Sequence, residues 1–343
     1  MTSTTELRAD IAARLAARIS LGVTPTPFDP APRFSAAIGA EVWIKRDDVG
    51  PIGLVGNKVR KLEYLAADAL AQNATVLVTV GARQSNHART TAAVAARLGL
   101  RCVLILGGDE PPLAQGNHLL DRLFGAEIEF AGDETWAVLD ARLAERCAAL
   151  TGRGERPYPI PMGGSIPVGV LGLTRGYIEL TDQLASLGLD AQVVYHASSS
   201  GGTQAGMTLG QALVGGGPSI RGVDVAKVPG GLEHKVSRLA NAAAEALGVE
   251  ARWRPEDIDI DHGQVGPGYA VPTDASARAA RLLAETEGIV ADPVYSAKAL
   301  AALVLDAGAG KLRGGQVVFW HTGGSPALFD SAFASWGAPS RSG

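Results

Sequence analysis

Short uninterrupted apolar runs alternate with longer amphipathic stretches from about Thr75 onward, and this alternation restricts the fold more than any other feature of the chain. TVLVTV (75–80), CVLIL (102–106), IEF (128–130), YPIP (158–161), QVVYHA (192–197), SIRGVDV (219–225) and VVFWH (317–321) read as strands. Between them the spacing predicts helices over about 86–98, 117–124, 135–150, 168–187 and 202–214. A strand that is apolar on both faces needs cover on both faces, and strands separated by helices run parallel. The fold class is therefore α/β with a mostly parallel sheet.

Glycine punctuates these runs. Of 43 glycines, many fall in GGDEPP (107–112), MGGS (162–165), SSSGGT (198–203), GGGP (215–218) and HTGGS (321–325), each after an apolar run. Loops at the carboxyl ends of parallel strands are where such sheets bind ligands, so this clustering predicts a ligand site. The length, 343 residues, allows two domains.

Composition removes several classes of function. A formal net charge of −4, with no basic stripe, argues against a nucleic-acid partner. No apolar stretch approaches the ~20 residues of a membrane span. The opening MTSTTELRAD has acidic residues and no apolar core, so it does not read as a secretory signal, and a cytoplasmic location is expected. From about Ala338 the chain is rich in Pro, Ser and Gly and is expected to fray. Cys102 and Cys147 are too few for a thiolate metal site or a disulfide framework, and six scattered histidines suggest no metal. No nicotinamide fingerprint follows a strand: GGTQAG (201–206) has Thr203 where the second glycine is required. No P-loop, H-E-x-x-H or G-x-S-x-G elbow occurs.

What remains is a set of strand-to-helix junctions. In GLVGNKVRKLEYL (53–65), Lys58 follows a glycine-containing turn and precedes an amphipathic helix carrying Leu62, Leu65 and Ala69. The positive end of a helix discourages protonation there, and a neutral amine is what imine chemistry requires. Lys61, one turn on, is expected to be the solvated one. In GARQSNHART (81–90), Ser85 and Asn86 are good cap residues, and a helix start can also hold a carboxylate or phosphate. In HASSSGGTQAG (196–206), small hydroxyl residues and glycines make a nest of N–H groups suited to a phosphate monoester without any lysine. DPVYSAKAL (292–300) offers Tyr295 and Ser296, and HTGGSPALF (321–329) offers Thr322. A lysine for an imine, a phosphate nest and an anion-binding helix start together describe a pyridoxal 5'-phosphate enzyme.

These motifs, with GPGYAVP (266–272), resemble in order and spacing the signatures of the D-cysteine desulfhydrase and 1-aminocyclopropane-1-carboxylate deaminase family over residues 21–333. The resemblance implies fold type II, the tryptophan-synthase-β-like fold: two open, twisted, mostly parallel sheets covered by helices. A large cofactor domain (1–60 and 170–343) would be joined by a smaller mobile αβ domain (61–169). It further implies that Lys58 bonds to the cofactor, with Asn86 at the cofactor's phenolic oxygen. Ser199, Ser200, Gly201, Gly202 and Thr203 would surround the phosphate. Ser85, Asn86 and His87 would meet the small amino-acid substrate, Tyr269 and Tyr295 would flank the reacting centre, and the chain would form a homodimer. The deaminase branch has a glutamate where this sequence has Ser296, so a hydroxyl from Ser296 or Thr322 would face the pyridine nitrogen and leave it neutral. His87 resembles the desulfhydrase branch, where the deaminases have glutamine. Arg83 either reads an acidic substrate side chain, such as a sulfonate, or points to solvent.

The activity implied is a carbon–sulfur lyase. It would carry out α,β-elimination on D-cysteine or a related β-substituted amino acid, cysteate included, to give pyruvate, ammonia and the leaving group. The alternatives are opening of aminocyclopropane carboxylate to 2-oxobutanoate, and a catalytically inactive binding protein of the same fold.

Overall fold

The computed structural model describes residues 4–132 and 135–336; the fraying expected from about Ala338 lies outside them. The chain runs α1 (Thr4–Ala16), β1 (Phe28–Pro30), α2 (Pro32–Ile38), β2 (Glu41–Arg46), α3 (Lys58–Ala71), β3 (Val76–Ala82), α4 (Asn86–Leu98) and β4 (Arg101–Gly107). It continues through α5 (Gly116–Leu123), β5 (Glu127–Phe130), α6 (Trp136–Thr151), β6 (Pro157–Ile160), α7 (Pro167–Leu187), β7 (Ala191–Ser198) and α8 (Gly202–Val214). The last part holds β8 (Ser219–Asp224), α9 (Leu232–Ala246), β9 (Ile260–Asp261), α10 (Asp274–Glu287), α11 (Ser296–Gly308) and β10 (Gln316–His321).

The strands form two sheets. One has the order β1-β2-β10-β7-β8-β9, in which only the β1–β2 pair is antiparallel. The other has the order β5-β4-β3-β6 and is parallel throughout. All seven apolar runs are strands, and the five expected helices are present with ends within about two residues. Helices cover both faces, so Val317 and Phe319 enter one core cluster while Val318 and Trp320 enter another.

Three helices carry the site, and glycine decides how closely they pack. A Cβ on Gly172 of α7 would lie 2.1 Å from the Arg60 carbonyl oxygen of α3. A Cβ on Gly206 of α8 would lie 2.6 Å from the Val170 carbonyl oxygen of α7. Only a residue without a side chain permits such approach. The result is an α3–α7–α8 stack that brings Lys58, at the start of α3, near the start of α8.

Candidate active site

The carboxyl ends of β3, β4, β6, β7, β8 and β10 converge on one cavity of about 300 Å³, at the lower end of the range usual for small-molecule sites. It lies between the two sheets. The loops after β3, β4 and β6 come from one sheet, and those after β7, β8 and β10 from the other. Lys58, Ser85, Asn86, His87, Ser199, Ser200, Gly201, Thr203, Tyr269, Tyr295 and Thr322 all line it.

Lys58 is the first residue of α3, and its amine donates to Asn57 Oδ1 at 3.2 Å. Burial and the nearby Arg89 guanidinium lower its basicity, Asp292 opposes them, and the amine titrates at about 8. About a tenth of it is therefore neutral at pH 7, far more than for an ordinary lysine.

The start of α8 fits a phosphate. Gly201 precedes it with φ of 80°, a conformation suited to glycine, and no side chain caps the helix. Its first N–H groups are thus left for a ligand. Thr203 Oγ1 accepts from Asn57 Nδ2 at 3.0 Å, which leaves its own proton free to donate. Gly202 belongs to the same turn, and a Cβ there would lie 2.7 Å from Lys61 Nζ and 2.6 Å from Ser165 Oγ.

That placement corrects the reading of Lys61. It is fully buried rather than solvated, its amine donating to the Gly163 carbonyl at 3.0 Å and to Ser165 Oγ at 3.1 Å. Burial, with Lys58 and Lys235 nearby, holds it well below the usual lysine range. No carboxylate within ion-pair distance compensates it among the described residues. A dianionic group at the α8 start would supply that countercharge. The nest expected to need no lysine therefore has one beside it, and the uncapped helix, the threonine hydroxyl and the buried amine suit the phosphate of pyridoxal phosphate.

Ser85 caps α4, its Oγ accepting from the Ala88 N–H at 3.2 Å. Asn86 Oδ1 accepts from Asn117 Nδ2 at 3.0 Å. His87 is buried with Nε2 2.9 Å from Thr79 Oγ1, and its Nδ1 has no partner. Burial first, then Lys58 and Lys61, hold it neutral. Arg83 does not line the cavity: its side chain is 37% exposed and stands 3.9 Å from Asp330. Of its two expected environments, solvent is nearer to what the fold shows.

On the opposite wall the Tyr269 and Tyr295 hydroxyls share a hydrogen bond, their rings edge to face with centroids 6.0 Å apart. Burial pushes both phenols up, so both stay protonated. Thr322 is on the wall, whereas Ser296 is not: its hydroxyl donates to Asp292 Oδ1 at 2.6 Å and accepts from the Asp292 N–H at 2.7 Å. Asn57, Trp136, Leu139, Met162 and Ala226 also line the cavity and were not read as site residues. Asn57 adjoins Lys58 in sequence and was findable on that ground; the other four carry no chemical signature.

The pyridoxal-phosphate dependent enzyme family matches residues 19–323. D-cysteine desulfhydrases of Salmonella schwarzengrund (strain CVM19633) and Salmonella choleraesuis (strain SC-B67) are each 42% identical over 319 residues, covering 91% of this chain and 95% of theirs. Among solved structures, an ACC deaminase homologue superposes with a TM-score of 0.85 at 37% identity, covering 93% of this chain and 96% of its own. Threonine deaminase isoform 2 from Solanum lycopersicum, with a TM-score of 0.65 at 15% identity, covers 96% of this chain and 87% of its own and shares the fold.

Proposed function

The chain belongs to the pyridoxal-phosphate dependent enzyme family, and from that premise we propose that it is a carbon–sulfur lyase acting on D-cysteine or a related β-substituted amino acid, cysteate included. With D-cysteine and water, the products are pyruvate, ammonia and hydrogen sulfide. The observation that carries the reading is an amine of lowered basicity, Lys58, in one cavity with two hydrogen-bonded tyrosines and the start of α4. The 42% identity to D-cysteine desulfhydrases supports it.

Pyridoxal phosphate, when bound, supplies an electron sink for charge left on the substrate α-carbon. Lys58 would hold the cofactor, and its amine in the neutral form would take the substrate α-proton. Ser85 and the first N–H groups of α4 hold the substrate carboxylate, with Asn86 and His87 beside them. Asn86 would also meet the cofactor's phenolic oxygen. Ser199, Ser200, Gly201, Gly202 and Thr203 would hold the phosphate, with Lys61 behind them. Tyr269 and Tyr295, both protonated, would flank the reacting centre.

The proposal includes a homodimer in the cytoplasm and a division into a large domain (1–60 and 170–343) and a small one (61–169). The four-stranded sheet lies wholly within the second range. Among the described residues no helix is long and apolar enough to cross a membrane.

A second reading, opening of aminocyclopropane carboxylate to 2-oxobutanoate, is favoured by the ACC deaminase homologue among the structural neighbours. Assaying pyruvate against 2-oxobutanoate with D-cysteine, L-cysteine, cysteate and aminocyclopropane carboxylate separates the two. Pyruvate from D-cysteine or cysteate is expected; 2-oxobutanoate as the main product would overturn the first reading. No imine absorbance band and no turnover would leave an inactive binding protein.

A further inference from the structure

The loop leading into Lys58 is held in an unusual conformation. Gly53, Leu54, Val55 and Gly56 have φ of 57°, 50°, 35° and 140°, four consecutive residues in the region that favours glycine. Leu54 and Val55 have side chains, and Val55 is β-branched, so this backbone does not persist without outside support. Two supports are visible. On one side Gly56 bridges to Gly323, and the Asn57 N–H donates to the Thr322 carbonyl at 3.1 Å. On the other, Arg89 of α4 donates Nη1–H to the Leu54 carbonyl and Nη2–H to the Val55 carbonyl, both at 2.9 Å.

Arg89 is fully buried and, among the described residues, makes no ion pair; its Nε has no partner. A buried guanidinium with no ion-pair partner is costly and calls for an explanation. Among the described residues, its side chain's one further hydrogen-bond partner besides the two loop carbonyls is the neighbouring Thr90 hydroxyl. It sits one turn beyond Ser85, its N–H donating to the Ser85 carbonyl at 3.2 Å. The helix whose start lines the substrate end of the cavity thus also grips the loop that carries Lys58.

We propose that Arg89 is a positioning residue for Lys58: its guanidinium straps the 53–57 loop to α4 and sets a fixed positive charge near the lysine amine, keeping that amine placed. The proposal rests on the reading of Lys58 as the cofactor lysine. The groups acting on Lys58 are Arg89, which disfavours its proton, and Asp292, which favours it. Lys61 faces the same space, and His87 and His196 are held neutral there by burial. Arg89 is itself lowered, to about 10, by burial, and Asp121 opposes this; it therefore remains charged over the working range.

The test uses cofactor-free protein and reads Lys58 directly. Acetylation of the Lys58 peptide by limiting acetic anhydride is followed by mass spectrometry from pH 6 to 11, in the unmodified chain, Arg89→Lys and Arg89→Gln. Affinity for pyridoxine 5'-phosphate, which lacks the aldehyde, reports an intact cavity without involving the lysine. Loss of a neighbouring charge shifts a midpoint by about one pH unit. Arg89→Gln is therefore expected to raise the Lys58 midpoint by about that much and to slow borohydride-fixable capture of pyridoxal phosphate at pH 7 roughly tenfold. Arg89→Lys, which keeps the charge and loses one of the two hydrogen bonds, is expected to leave the midpoint in place and still slow capture. An unmoved midpoint in Arg89→Gln with pyridoxine 5'-phosphate affinity retained overturns the proposal. Should neither variant fold, the unmodified chain still decides: a Lys58 midpoint in the usual lysine range near 10.4 overturns it. Borohydride fixing the cofactor to a different lysine instead sinks the reading of Lys58 and leaves the midpoint shift to be judged separately.

Discussion

Asn57 Nδ2 donates to Thr203 Oγ1 at 3.0 Å, joining the residue before Lys58 to the first turn of α8. The same amide accepts from Lys58 Nζ at 3.2 Å. One side chain therefore fixes the amine relative to the α8 start, and it fixes the orientation of the Thr203 hydroxyl as well.

Thr203→Val keeps the shape and removes the hydroxyl. A hydrogen bond to a charged group contributes ~1.5–3 kcal/mol, which is roughly ten- to a hundredfold in affinity. Cofactor affinity measured by fluorescence titration is expected to fall by that factor. Asn57→Ala, acting through the same hydroxyl, is expected to cost about 1 kcal/mol. An unchanged dissociation constant in Thr203→Val would place the phosphate elsewhere.

Lys61 and Lys58 should separate cleanly by ligand. Lys61→Met removes the buried amine beside Gly202. It is expected to weaken both pyridoxal phosphate and pyridoxine 5'-phosphate, by about tenfold or more if the amine contributes an ordinary charge-assisted hydrogen bond. Lys58→Ala is expected to abolish the imine absorbance and leave pyridoxine 5'-phosphate binding nearly intact. Equal binding of the aldehyde-free compound by Lys61→Met and the unmodified chain would refute the role given to Lys61.

The misreading of Lys61 shows where sequence patterns fail. β3, β4, β7 and β10 were legible because their residues are apolar on both faces. β2, EVWIKR, was not, because its Lys45 is wholly buried and bonded to Glu179 and Gln183, an inward charge that reads as solvent-facing. Lys61 is the same case: a charge is read outward unless its partner is known, and one of its partners is a carbonyl 102 residues away. Ser296 failed in the opposite direction. Its motif marked it, but its hydroxyl is committed to Asp292. Ser85, Asn86 and Thr203 were legible because a strand-to-helix junction both positions and exposes them. Trp136, Leu139 and Met162 were not, since an apolar wall residue looks like any core residue.

His262 adds a pH dependence to the segment leading to Tyr269. Its Nδ1 lies 3.0 Å from Asp224 Oδ2 and its Nε2 2.6 Å from Glu233 Oε1. The Glu233 hydrogen bond is the largest influence and, with Asp224, raises its titration above the usual value, against the opposing effect of burial. A raised folded-state value means the stabilisation is complete below the unfolded value near 6.5 and fades as pH rises through the folded one. The side chain is 52% exposed, so solvent screening limits the effect to ~0.5 kcal/mol. Thermal unfolding of His262→Gln is expected to lie about one degree or less below that of the unmodified chain at pH 6 and to converge with it at pH 9. A difference that grows with pH would contradict this assignment.

Ser296→Glu tests whether one residue decides between elimination and ring opening. Thr322, and not Ser296, is the hydroxyl on the cavity wall. A departing thiolate carries its negative charge away, so a weak electron sink still permits elimination, whereas the cyclopropane has no such leaving group. Pyruvate from D-cysteine and little 2-oxobutanoate from aminocyclopropane carboxylate are expected of the unmodified chain. At position 296 the hydroxyl is bonded to an aspartate that already accepts the Val294, Tyr295 and Ser296 N–H groups. A glutamate there loses the Ser296–Asp292 bond, about 1–3 kcal/mol, and sets a second carboxylate against the first unless it swings into the cavity. The variant is therefore expected to unfold several degrees lower and to gain little 2-oxobutanoate activity. An unaltered melting temperature combined with efficient turnover of aminocyclopropane carboxylate would mean that the glutamate reaches the cofactor unaided, and that Asp292 does not hold position 296 away from it.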